Sequence, residues 1–121
     1  MKGEKSEERR KFTRIRAKCP LKYKMKRGDF YASALTEDIS LCGARIDTDR
    51  TFPIGLKLKL GLNILSEIIN PIGRVVWSKQ LADSDEYCMG IEFIQIEGLE
   101  KDHLSDYIDR HLSESTVEME K

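Results

Sequence analysis

Two short stretches of this 121-residue chain carry side chains spaced for recognition. The first, "RRKFTR" at 9–14, sets Arg10 and Arg14 in an RxxxR spacing with Arg9 just before them. A guanidinium is a planar fork of donors: it grips a phosphate or a pair of acceptors, and its face stacks on aromatic rings. The second, "TEDISLCGARI" at 36–46, holds Asp38, Ser40 and Gly43 in a DxSxxG spacing. A carboxylate accepts from two adjacent N–H donors, a hydroxyl adds a hydrogen bond, and a glycine permits close approach. Taken singly, each has an ordinary explanation. Asp38 could cap a turn, Ser40 could lie on a strand surface, Gly43 could form a turn, and the arginines could only solubilise.

Groups for catalysis do not assemble elsewhere. The sequence contains no GxSxG, no HExxH and no phosphate-cradling P-loop. Its two histidines, His103 and His111, fall on a predicted helix, about 12 Å apart along the axis at 1.5 Å per residue. That is too far to share a metal ion, and the apolar neighbours of His111 make it a packing residue. The reading is therefore not an enzyme, with neither metal nor cofactor.

The elements that must position the two motifs read mainly as short strands. Alternation marks strands at 18–25, 30–40, 44–47 and 56–62, the last with Leu56, Leu58, Leu60 and Leu62 facing one way and Lys57 and Lys59 the other. A strand over 68–80 contains Pro71 and Gly73, which predict a bulge or an edge position there. Residues 87–96 supply a sixth strand. The period then changes, and Leu104, Tyr107, Ile108, His111 and Leu112 predict a helix over 97–112 with acids in its first turn. The fold class is thus all-β, a small six-stranded antiparallel barrel with a C-terminal helix, and a sandwich is the alternative. Residues 1–8 read as a flexible arm, 9–112 as the domain and 113–121 as a polar tail.

Composition limits the function classes. A net charge of zero conceals twelve Lys/Arg against three acids in residues 1–27, and four against twelve in 78–121. Either an anionic partner meets the basic segment, or the two ends neutralise each other across the fold. No apolar run reaches the ~20 residues of a membrane span. The N-terminus lacks the apolar core of a secretory signal. Cys19, Cys42 and Cys88 are odd in number and widely spaced, as buried, reduced thiols of a cytoplasmic protein would be.

With RxxxR at Arg10–Arg14 just before the first strand and DxSxxG at Asp38–Gly43 ending the second, the chain resembles the PilZ domain family. The likeness runs over about residues 9–112 and takes in "GRVVW" at 73–77 and "GIEF" at 90–93. Cys42, where relatives often have glycine, is a mild departure at a free position of the motif. The resemblance implies a six-stranded barrel with a C-terminal helix and binding of the bacterial second messenger cyclic di-GMP. Guanine presents N7/O6 acceptors on one edge and N1–H/N2–H₂ donors on another. Arg10 and Arg14 would then hold the acceptors or phosphates, and Asp38 would read the donors that adenine lacks. Ser40 would assist on the same strand face, and Gly43 would let the backbone approach the ligand. Arg9 could contact a second, stacked ligand molecule. Trp77 could line the site with its ring, although burial in the core is the simpler expectation.

Three functions follow from these residues. The leading one is a cyclic di-GMP receptor that relays the signal to a downstream effector protein. An interaction module of the same fold without the ligand is the second. A small barrel binding single-stranded nucleic acid is the third, and it is disfavoured because Phe12 and Tyr23 are the few aromatics near the basic segment.

Overall fold

The computed structural model describes residues 13–25, 31–82 and 84–120. Its strands are β1 (Ile15–Arg16), β2 (Pro20–Met25), β3 (Ala32–Ile39), β4 (Gly43–Thr48), β5 (Lys57–Ile64), β6 (Glu67–Ile69), β7 (Ile72–Gln80) and β8 (Tyr87–Gln95), followed by one helix, α1 (Gly98–Glu120). Among the described residues, β2, β3, β4, β8, β7 and β5 pair in that order, and β5 returns to β2, closing a six-stranded antiparallel barrel. Closure removes the open edges that would otherwise invite aggregation. The expected barrel is the one observed, and the sandwich is excluded.

Alternation explains the barrel wall. Leu21 and Tyr23 of β2, Leu58, Leu60, Leu62 and Ile64 of β5, and Ala44 and Ile46 of β4 point inward and are buried. Lys22, Lys24, Lys57 and Lys59 take the opposite face. Tyr23 thus belongs to the core, edge-on to Phe52, and is not a stacking platform for nucleotides.

Two short strands lie outside the sequence-based reading. β1 adds to the rim by pairing Ile15 with Ile39 and Arg16 with Asp38. The predicted 68–80 strand is split: β6 folds back on β5 through Leu65 and Ser66, both at positive φ, and the chain restarts after Pro71 as β7. The expected irregularity is there, as a register shift between Ile72 and Gly73.

α1 plugs one end of the barrel. Leu104 and Ile108 enter the core with essentially no exposure, and each contributes about 1.5–3 kcal/mol by that burial. His103 Nε2 lies 2.7 Å from the Ile64 carbonyl oxygen, and Glu100 accepts the Asn70 N–H at 3.0 Å. His103 thus helps to seat the helix, and His111 stands edge-on to Tyr107, one turn earlier on the same helix. The helix continues to Glu120, past the 112 at which its apolar spacing ends. Residues 113–120 contain neither Gly nor Pro to stop it.

Thr36 locks the rim that carries the site. It is fully buried; its hydroxyl donates to the Ala17 carbonyl and accepts the Cys19 N–H at 2.8 Å. Thr36→Val keeps the shape and orphans both partners. It should lower stability by about 2–3 kcal/mol in a urea titration, with the denaturant slope unchanged.

Candidate functional site

The β3 strand turns its Asp38 outward through a bulge. Thr36 and Ile39 both face the core, three positions apart, which strict alternation forbids. The register shifts between Thr36, opposite Ile46, and Asp38, opposite Arg45. The extra residue, Glu37, therefore joins Asp38 on the outer face. From Asp38 a row of cross-strand partners runs around the barrel: Arg16 on β1, Asp38 on β3, Arg45 on β4, Gly90 on β8 and Trp77 on β7. Directly opposed residues share one face and stand about 5 Å apart between neighbours. The row places arginines on both sides of one carboxylate, with an aromatic ring three strands away.

Arg14, just before β1, closes on the same acid. Its Nη1 lies 2.5 Å from Asp38 Oδ1. No described group donates to Asp38 Oδ2. The half-exposed ion pair adds little stability of its own, but it joins the two motifs that the sequence suggested should meet. Arg9 and Arg10, with Phe12, lie outside the described residues.

Ser40 and Gly43 play a different part from the one expected. Ser40 follows the last residue of β3 and is buried; its Oγ accepts the Cys42 N–H at 3.1 Å, and its own N–H donates to the Gly43 carbonyl at 2.8 Å. It is therefore not on an outward face beside Asp38. The hydroxyl braces the turn from β3 into β4. At Gly43 a Cβ would lie 2.0 Å from the Ile91 carbonyl oxygen. The glycine makes room for the backbone of strand β8. The Phe93 N–H, bonded to the Cys42 carbonyl at 2.7 Å, fastens the same turn to β8.

Trp77 is not in the core. Its alternation from fully buried Val75 is reset by a register shift between those two residues. The indole then lies over Gly90, where a Cβ would come within 2.1 Å of its Nε1. About a third of the residue remains open to solvent. Arg16 and Arg45 are members of the row that sequence inspection missed. Only strand pairing, which no local pattern encodes, brings them to Asp38.

Beside the row, Glu37 and Asp47 face each other across β3 and β4. Burial, then the neighbouring Glu37 carboxyl, pushes Asp47 up to about 6, whereas the hydrogen bond from Asp47 lowers Glu37. Lys18 Nζ stands 3.6 Å from Glu37. A separate apolar groove of about 540 Å³ crosses β2, β3, β5 and β6, lined by Tyr31, Leu35, Gly61 and Ile68 among others. It includes neither Asp38 nor Arg14, and its apolar lining suits no dianion.

Comparisons with known proteins fit this geometry. A model of the PilZ domain matches residues 8–110. No curated protein sequence matches the chain. Among solved structures, the inhibitor of motility MotI/DgrA of Bacillus subtilis is similar at a TM-score of 0.73 and 21% identity, over 87% of this chain and 52% of that one. The PilZ domain of YcgR from Escherichia coli, solved with c-di-GMP, is similar at 0.68 and 15% identity, over 93% and 98%. The PlzA protein of Borreliella burgdorferi in complex with c-di-GMP is similar at 0.59 and 16%, over 88% and 43%. The chain thus spans about half the length of the first of these proteins and nearly all of the YcgR domain. Among the described residues, no helix is long and apolar enough to cross a membrane.

Proposed function

The chain belongs to the PilZ domain family, and we propose that it is a receptor for cyclic di-GMP that passes the signal to a partner protein in the cytoplasm. The observation that carries this reading is the meeting of Arg14 with Asp38, which joins the two motifs on one outer face of the barrel. Asp38 keeps Arg14 on Oδ1 and accepts guanine N1–H and N2–H₂ largely through Oδ2. Arg10 and Arg14 close over the nucleotide from the segment before β1, and Arg9 takes a second ligand molecule where two stack. Trp77 offers a ring face to a base, as stacking platforms for nucleotides do. Ser40 and Gly43 act from behind, by holding the turn that presents Asp38.

The response is carried by residues 9–14, which the bound ligand fixes in one arrangement displayed to the partner. Two of the similar structures, those with c-di-GMP, support the choice of ligand.

Calorimetric titration with cyclic di-GMP tests the reading. The wild type should bind tightly with saturation, and Arg10→Ala should lose at least about a hundredfold, the worth of two charge-assisted hydrogen bonds. Equal affinity in the two proteins would sink the assigned site. If neither binds, the module works by protein contacts alone.

A further inference from the structure

We propose that Arg45 is a further ligand-binding residue of this site, taking a phosphate of the dinucleotide, and that the Glu37–Asp47 pair regulates how freely it does so. This rests on the receptor reading above and goes beyond its two motifs.

Arg45 stands directly opposite Asp38 on the outer face, half-buried. It makes no ion pair with any described acid, and its Nε is buried without an acceptor. A buried guanidinium donor with no partner is costly to keep. Asp38, the nearest acid along the row, is already engaged by Arg14. Among the described residues Arg45 therefore has no direct ion-pair partner, although it stands at the edge of the proposed anion site. Along the row, Arg14, Arg16 and Arg45 flank Asp38, and the Glu37–Asp47 pair beyond Arg45 offsets part of their charge. A cyclic dinucleotide brings two phosphate charges. The fork geometry of arginine suits a phosphate's paired oxygens better than an ammonium would.

The acid pair lies on the other side of the same arginine. Both Glu37 and Asp47 feel the Arg45 charge, and Asp47 Oδ1 is itself buried without a donor. Lys18, Asp49 and Glu86 line the same surface depression. When the pair carries two negative charges it draws Arg45 away from the ligand and repels phosphate. When it holds a proton, one charge is gone and the arginine is released. The sign follows from linkage: an arriving phosphate disfavours ionised Asp47, so the complex holds the proton more tightly than the free protein does. Affinity then rises as pH falls through about 6, where Asp47 titrates.

The test is calorimetry with cyclic di-GMP at about pH 5.5 and pH 7.5, on the wild type, Arg45→Ala, Arg45→Lys and Asp47→Asn, with thermal melts to confirm folding. At the higher pH, Arg45→Ala should weaken binding at least about tenfold, and Arg45→Lys should recover only part, because a lysine cannot fork. The wild type should tighten several-fold at the lower pH. Asp47→Asn, fixed in the uncharged form, should bind at pH 7.5 as the wild type does at pH 5.5 and respond little to pH. Arg45→Ala within twofold of the wild type would overturn the assignment of Arg45. A pH response unchanged in Asp47→Asn would overturn the regulation. A wild type that binds no cyclic di-GMP at either pH would overturn the receptor reading itself, and this inference with it.

Discussion

Gly43→Ala should cost about 3 kcal/mol or more of stability, although it adds one methyl group at the edge of the proposed site. The new Cβ would meet the Ile91 carbonyl oxygen at 2.0 Å, with the Ile91 carbonyl carbon and Glu92 Cα close behind. All three are backbone atoms of a strand inside a closed barrel, so no side chain can swing away to relieve the contact. Overpacking a well-packed core typically costs about 1–3 kcal/mol, and a contact with backbone that cannot move belongs at or above the top of that range. Either β4 must lift from β8, breaking the Gly43–Glu92 end of the ladder, or the turn from Ser40 must reopen. A melting temperature roughly 10 °C or more below wild type is the expected reading for a domain of this size. A variant as stable as wild type would show that β4 and β8 are not held this closely. Ligand binding should be lost together with the turn, and the loss should track the fraction unfolded.

How much of this was legible in the residues depends on whether the information was local. Strand β5 could be read because it buries one face, so Leu58, Leu60 and Leu62 alternate with lysine, lysine and glycine. The hairpin between β5 and β6 could not, because its turn uses Leu65 and Ser66 at positive φ where Gly or Asn would have signalled it. β1 has two residues, too few for any period. Bulges account for the misplaced side chains. Counting by twos from Val75 puts Trp77 in the core, and the register shift after Val75 turns it out. The shift at Glu37 likewise puts two consecutive acids on one face.

The motif was legible as a unit but not in its division of labour. Asp38, Ser40 and Gly43 looked like three contacts to a ligand. Folded, Asp38 faces outward and the other two hold the turn behind it. The distinction has a physical source. A buried hydroxyl bonded within its own turn and a glycine pressed against a backbone carbonyl are committed to the fold, whereas a carboxylate with one oxygen engaged and, among the described residues, no donor to the other is not.

That division makes Asp38→Asn the counterpart of the glycine substitution. The amide would keep the size of the side chain and one acceptor, but it would lose the charge and turn an NH₂ toward guanine's own donors. Asp38 in the wild type would accept N1–H and N2–H₂ as charge-assisted bonds while retaining Arg14 on Oδ1. Removing the charge should cost about 3 kcal/mol of binding, roughly a hundredfold in Kd. The melting temperature should move by only a degree or two, because the ion pair with Arg14 is half-exposed and worth at most about 1 kcal/mol. Selectivity should move further than stability. Adenine presents an acceptor at N1 where guanine presents a donor, so Asp38 repels cyclic di-AMP as well as attracting cyclic di-GMP. The variant, with both a donor and an acceptor at this position, should bind the two dinucleotides within about tenfold of each other. Titrating both ligands into both proteins decides the point. If Asp38→Asn leaves the preference for guanine intact, the base is read elsewhere on the row, and the Arg14–Asp38 pair is only an anchor for the segment that precedes β1.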